Sequence, residues 1–476
     1  MLRVMAYSAC AVLLLASSPV FPAKSPQSDS YDYGQLALPH APVFQRGNKL
    51  SKPLSESDPA VKQFLKYYST YVDQRVNAKL PKKLNKSDLV WFPSTLYSDI
   101  GPTPREYGED LPQKDWRFAT SSFCRDCHDA TEALRDVNPP MRIPADHEEL
   151  FANWSPYGEW SVSLMGLSGR DPAFHAQVET ERLKHPGVEP SLIDNVCYSC
   201  HGTMGVRQIH QDLHRNFNHE MIYSTPDNFS DTGNEGKTYY ASPKYAEYGA
   251  LARDGVSCQV CHHIGPADNQ WRDAGGKVKW EIFYGPKSAE VTRREGEKPG
   301  PPYPFTANFQ VNLNRLYVPD DIDETQEPML LLGMARAEKT PHISSSEYCG
   351  GCHVVIVPKI PADYRKGGAV PGVPGETYTG DPFTDPNVQL AYEQTTYFEF
   401  VNSGFPDREI ECQTCHMPGL QPAGQKVASV SPAWYTPENP DIPERDYKRH
   451  RILGINLFVH EMFQQFYDIL GLADPR

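Results

Sequence analysis

The sequence predicts a mainly α chain with much irregular structure and few short strands, filled by something other than its own aliphatic side chains. Three observations lead there. Hydrophobic residues make up only 39% of the 476, while Pro numbers 44 and Gly 33, a poor recipe for a large aliphatic core. The 26 Tyr, 20 Phe and 7 Trp nevertheless make the chain too aromatic for disorder. A pentapeptide, C-x-x-C-H, recurs five times. The length allows two or three domains. A net charge of −14 excludes nucleic acid and anionic membrane as partners and suits a basic or metal-bearing protein.

From the N-terminus, residues 1–23 read as a secretory signal peptide. Arg3 comes early, an apolar stretch covers 12–16, and small residues precede a cut near Ala23. The apolar run is too short to span a bilayer. Cys10 lies inside that run, which argues against a lipoprotein cysteine. No later segment has the length of a transmembrane helix, so the mature chain is expected to be soluble and exported, either periplasmic or at the cell surface. Residues 24–110 carry no motif and form a lead-in that caps the rest or docks a partner. Within it, Asp58-Pro59 opens a helix signal, followed by Val61, Phe64, Leu65, Tyr68, Val72 and Val76 at helical period.

The cysteines carry the chemistry. Of 11, Cys10 falls in the signal. The other ten are Cys124 and Cys127, Cys197 and Cys200, Cys258 and Cys261, Cys349 and Cys352, Cys412 and Cys415, each pair closed by a histidine: His128, His201, His262, His353 and His416. This is the attachment pattern of c-type haem. Two thiols three apart each add to one vinyl group on the same porphyrin edge, and the adjacent histidine takes the iron from the proximal side. Disulfides suit an exported protein, but they do not require a histidine after every pair. Zinc ribbons use C-x-x-C in pairs, and five is odd. A redox dithiol would occur once. The expectation is therefore five covalent haem c groups, a haem-packed multihaem cytochrome c fold, and flat apolar macrocycles in place of the missing aliphatic core.

The opposite face of each iron needs a second ligand. Eleven of the 16 histidines remain, and any one of them is more often structural than ligating. Context favours His342, seven residues before Cys349, and His450, at the start of an expected terminal helix with Ile455, Val459, Met462, Phe466 and Leu470 at helical spacing. His460 lies off that stripe and fits either role. One of His210, His214 and His219 is expected to ligate; the first two share a helical face if helical. His263, beside His262, points elsewhere and can reach a neighbouring haem. His175 is a weaker candidate.

Four stretches resemble multihaem cytochromes of the cytochrome c-552/4 type. They are W-S-V-S-L-M-G-L-S-G-R-D-P-A-F-H-A-Q-V-E-T-E from Trp160, L-A-R-D-G-V-S-C-Q-V-C-H-H-I at 251–264, Y-E-Q-T-T-Y-F-E-F at 392–400 and E-C-Q-T-C-H-M-P at 411–418. The resemblance runs from about residue 120 to the C-terminus. It implies a Trp, a Ser three on and a distal His five on. Trp160 and Ser163 match, but Met165 stands in the fifth place. Met165 then either ligates, raising that haem's potential above its neighbours, or fills core space. Met417 is assigned packing.

Steps of 73, 61, 91 and 63 residues separate the first cysteines of successive motifs, a loose chemical repeat without a solenoid period. They divide the chain into a three-motif region at 111–275, an insertion at 276–340 with a strand candidate at 280–284, and a two-motif region at 341–476. Pro/Gly-rich stretches at 357–383 and 419–445 are expected as surface loops. The function expected is electron carriage in an exported respiratory chain, with redox proteins as partners and association with other cytochromes allowed. The alternative is a multihaem oxidoreductase acting on nitrogen or sulfur compounds (nitrite or hydroxylamine type) at one haem lacking a distal ligand. The absence of a C-x-x-C-K variant removes one hallmark of nitrite reductases of this kind.

Overall fold

The structure is a computed structural model. It describes residues 92–93, 117–129, 142–144, 151–153, 155–225, 240–241, 243–265, 306–307, 309, 311–313, 315–319, 330, 334–383, 385–419, 448–454, 456–465 and 470–472. All of them fall in the second of the chain's two parts, His40–Arg476, and none in Met1–Pro39. The signal segment, the helix signal after Asp58, His40, His147, the strand candidate at 280–284 and all of 419–445 but Gly419 lie outside the described residues.

Helices are short and begin where the sequence supplies caps. Helix α1 (Ser121–His128) carries the first motif. Helix α2 (Pro156–Trp160) has Pro at its first turn, and Ser155 accepts the Gly158 N–H at 3.1 Å. Helix α3 (Pro172–Lys184) repeats the device, Asp171 accepting from Ala173 N at 2.8 Å. Helix α4 (Pro190–His201) carries the second motif and α5 (Thr203–Leu213) follows at once, ended by His214 in the left-handed conformation at φ 51. Helices α6 (Ala246–Arg253) and α7 (Cys258–His263) lead into and hold the third motif. Helix α8 (Ser346–His353) holds the fourth, α9 (Thr396–Val401) packs against it, and α10 (Cys412–His416) holds the fifth. Helix α11 (Leu457–Gln465) packs on α3. Among the described residues no helix is long and apolar enough to cross a membrane.

Among the described residues strands pair only in twos. Strands β1 (Arg142–Pro144) and β2 (Phe151–Asn153) are antiparallel, β3 (Ser224–Thr225) and β4 (Tyr240–Ala241) parallel. Strands β5 (Arg315–Val318) and β6 (Arg336–Lys339) are parallel, and β7 (Val355–Pro358) and β8 (Leu390–Gln394) antiparallel.

Two apolar clusters do most of the packing. One gathers Tyr198, Ile209, Phe217 and Ile222 with Val459 and Phe463 of α11. The other joins Met204, Leu251, Val260, Phe309 and Val311 around Cys200, Cys261 and Cys352, so the second, third and fourth motifs share one core. The described part of the 276–340 stretch lies between motifs: Ala307 N donates to Gly351 O at 2.8 Å and Asn312 N to His263 O at 2.9 Å.

Two expectations change. The terminal helix starts at Leu457 rather than near His450, because the backbone at His450 is drawn to a buried carboxylate described below. Its buried stripe is Val459 and Phe463, with Met462 half-buried, while Ile455 and Phe466 lie outside the described residues. The 357–383 stretch is rich in turns, with Gly367, Gly372, Gly375 and Gly380 at positive φ. It is still not a loose surface loop, since Tyr364, Val370 and Tyr378 bury against Val188 and Ile193.

Candidate functional site

The five motifs share one local form. Each lies on a helix, and four of those helices end on the motif histidine; α7 runs one residue further, to His263. A helical turn places residues three and four apart on one side. Both thiols and the imidazole of one motif therefore face the same way, as one edge of a flat ligand requires.

Long-range contacts gather the motifs. Cys258 lies within hydrogen-bonding reach of Cys124, and that contact, with burial, holds its thiol well above its ordinary pKa. Cys352 meets Cys200 in the same manner. Cys412 is drawn down to about 6, first by the Cys349 thiol. Tyr348 donates to Cys261 O at 2.8 Å, tying the fourth motif to the third. Cys197 is pushed up to about 12 by burial. Cys415 is exposed, and the side chain of Cys127 lies outside the described residues.

Four imidazoles are held with Nδ1 on a backbone carbonyl. His262 Nδ1 donates to Tyr317 O at 2.8 Å, His263 Nδ1 to Arg315 O at 2.6 Å, His416 Nδ1 to Leu453 O at 2.6 Å and His450 Nδ1 to Lys448 O at 2.9 Å. A carbonyl only accepts, so in each ring Nδ1 carries the proton and Nε2 keeps the lone pair. This arrangement orients metal-binding histidines. Gln394, in a stretch to which the sequence assigned no role, places its amide 3.2 Å from His353 Nδ1. Burial lowers His201 to about 4, and Phe174 stacks on its ring at 3.8 Å and 2°. His128 is half-buried.

The other candidates separate sharply. His450 is half-buried, and its pKa is lowered to about 4 by desolvation and then by the charge of His262 and, less, of His128. His342 opens a short 3-10 turn, and its ring meets Tyr348 edge-on at 5.7 Å. His210 is half-buried and His214 exposed, their rings 6.2 Å apart. His219 is buried but both its nitrogens are engaged, Nδ1 with Tyr198 OH at 2.8 Å and Nε2 with Glu179 at 3.1 Å. His219 thus stands here as a hydrogen-bonding partner of Tyr198 and Glu179. His175 is likewise spent, on Tyr198 OH at 2.9 Å and Gly169 O at 3.2 Å. Met165 packs in the cluster around Cys200, Cys261 and Cys352. Its carbonyl accepts from Val256 N at 3.1 Å, and Trp160 Nε1 donates to Val256 O at 2.7 Å. Trp160 and Met165 thereby brace the chain just before the third motif.

Sequence reasoning missed a buried ion pair. Glu159 has no exposure; its carboxylate takes the Arg449 guanidinium on one oxygen and His450 N at 2.7 Å on the other. Burial pushes the Glu159 carboxyl up, against the pull of Arg449. The only sequence signal was the R-H-R flanking of His450.

The residues present fit haem. The thiols and imidazoles are grouped as the ligand needs, and the Nδ1 bonds of His262 and His416 leave Nε2 as the lone-pair nitrogen of those motif rings. Two buried guanidiniums, Arg170 and Arg253, spend Nη1 on backbone carbonyls and leave Nε buried without a partner. A buried cation calls for an anion, and haem propionates are anions. Cys124 to Cys415 would hold the porphyrins and the five motif histidines the irons, supplying one-electron redox chemistry. No protein-family model, no curated protein and no solved structure matches the chain.

Proposed function

We propose that this chain is an exported pentahaem c-type cytochrome, of the kind the c-552/4 resemblance implies, that passes electrons along covalently held haems to redox protein partners. The observation that carries the reading is the set of five C-x-x-C-H motifs, with no cysteine left over after the signal segment. Support comes from the helices that present each motif and from the contacts that draw the motifs together. In this reading the protein binds each porphyrin edge with two thiols. It orients the His262 and His416 imidazoles through Nδ1 and keeps water from the second and third motifs with the cluster around Met204 and Leu251. The fifth motif, with exposed Cys415 and His416, faces solvent and offers the point of exchange.

One observation favours a second reading, an oxidoreductase. Tyr198 OH links His175 and His219 inside the second motif, and the chain of hydrogen bonds continues to half-exposed Glu179. Glu179 is held below its ordinary range, first by the His219 hydrogen bond. Such a path moves protons, which a pure electron carrier does not need.

Mass spectrometry of protein made in a host with c-type haem maturation tests the primary reading. Five haem masses per chain are expected. A bare polypeptide mass, or one lowered by disulfides among the facing thiol pairs, would overturn it. A low-spin optical spectrum supports the carrier, and a distinct high-spin band supports the oxidoreductase.

A further inference from the structure

We infer that the chain uses one docking joint twice, with Ser121 and Ser346 as its positioning residues. One joint sets the haem of the first motif against that of the third, and the other sets the haem of the fourth against that of the fifth. The haem half of this rests on the pentahaem reading; the joint itself does not.

The two joints match contact by contact. Ser121 opens α1 and Ser346 opens α8, each three residues before the first cysteine of its motif. Ser121 N and Oγ both donate to Asp254 Oδ2 at 2.8 Å, and Ser121 Oγ accepts from Cys258 N at 3.2 Å. Ser346 N and Oγ both donate to Glu411 Oε2, and Ser346 Oγ accepts from Cys412 N at 2.8 Å. A glutamine in the second place of the partner motif completes each joint. Gln259 Oε1 accepts from Ala119 N at 2.6 Å, and Gln413 Nε2 donates to Ser345 O at 2.8 Å. The sequence carries both halves. The first and fourth motifs read S-x-F-C and S-x-Y-C into C-x-x-C-H, and the third and fifth read C-Q-x-C-H. The second motif has neither half, with Asp194 three before Cys197 and Tyr198 after it.

Ordinary helix capping does not require this. Helices α7 and α10 have their own caps, Ser257 accepting from Val260 N and Glu411 from Thr414 N. The N–H at the first helical position has no partner within its helix. Here it goes to a buried serine 137 residues away at one joint and 66 at the other. A hydroxyl that donates to one group of a segment and accepts from another, with its own N–H on the same carboxylate, fixes orientation as well as distance. Residues three apart share a helix face. The face that grips the partner motif is therefore the face that carries Cys124 or Cys349. The first cysteines meet there, Cys124 with Cys258 and Cys349 with Cys412. Each joint thus gathers the anchoring thiols of two motifs.

The experiment reads the midpoint potentials of the haem-loaded protein, with haem count by mass as the control. Ser121→Ala is expected to shift two potentials, Ser346→Ala two others, and the double variant four. Gln259→Ala, on the opposite side of the first joint, is expected to shift the same two as Ser121→Ala, so that combining them still moves two. Any other count, whether none, one or all five, overturns the joint. Haem lost from a variant is located by peptide mass; loss confined to the joined pair supports the joint, and loss from any other motif overturns it. Fewer than five haems in the wild type sinks the pentahaem reading instead. The joint is then judged by urea unfolding of Ser346→Ala, Glu411→Ala and their double, where non-additive costs are expected and additive ones overturn it.

Discussion

The segment from 155 to 264 and the segment from 390 to 458 hold the same pentapeptide chemistry in opposite surroundings. Around the second and third motifs, Tyr198, Ile209, Leu251 and Val260 have no exposure, and His263 is only 2% exposed. In the segment from 390 to 458, Tyr392 is 59% exposed, Phe405 49% and Phe458 67%, and Cys415 and His416 of the fifth motif face solvent. The motif cysteines and histidine are the same in both, so in the proposed reading any difference in behaviour has to come from what packs on them. Burial and carbonyl contacts tune a bound metal alongside its ligands. In that reading buried motifs suit a protected interior path, and an exposed one suits exchange with a partner.

The sharpest way to break that comparison is a pair of glycines. A Cβ at Gly205 would sit 2.4 Å from Tyr248 O and 2.7 Å from the Ala252 Cβ, whereas a Cβ at Gly404 meets nothing within 4 Å. Gly205→Ala should cost about 3 kcal/mol or more by overpacking, and Gly404→Ala should stay within about 0.5 kcal/mol. Urea midpoints of the two variants measure this; equal costs would mean the buried half is no tighter than the exposed one.

Next in size is Tyr198→Phe. It strands two buried imidazole nitrogens and should cost about 1–3 kcal/mol, read by thermal unfolding. A neutral result would show that the hydroxyl does not bridge His175 and His219.

A pH series sharpens the contrast further. Burial raises the Asp254 carboxyl to about 6 from its ordinary 3.8, against the bonds it accepts from Ser121 N and Oγ, both 2.8 Å. With the folded value above the unfolded one, this group's stabilising contribution is complete below pH 3.8 and is lost as pH rises through 6. Asp254→Asn has no charge to bury, so it should exceed wild type by on the order of 2 kcal/mol at neutral pH and converge with it under acid conditions. Parallel stability curves would mean that this carboxylate is solvated.

The smallest expected effect on stability is at the exposed end. Tyr392→Ser and Phe405→Ser should leave stability within about 0.5 kcal/mol and slow electron exchange with a partner redox protein in stopped-flow mixing. An unchanged rate would move the exchange point elsewhere.

Much of the local structure was legible. Pro156, Pro172 and Pro190 stand at the first positions of α2, α3 and α4, a helix-start signal written in the sequence. The rest depended on tertiary partners with no local trace. Periodicity around Val459 and Leu470 pointed to a helix from His450, but Glu159 competes for that backbone and the helix waits until Leu457. The sequence left open which of His210, His214 and His219 ligates; only the fold reveals that His219 bonds Tyr198 and Glu179. Glu159 itself resembled any surface glutamate, because a charge's burial is decided by residues 290 positions away.

The facing thiols carry a consequence for how the protein is made. Cys124 meets Cys258, Cys200 meets Cys352 and Cys349 meets Cys412, so every such encounter joins sulfurs of different motifs. In an oxidising compartment these encounters are three ready-made crosslinks between motifs. Under the proposed pentahaem reading they would be the wrong ones, and attachment would have to run ahead of collapse, with each sulfur capped while the polypeptide is still extended.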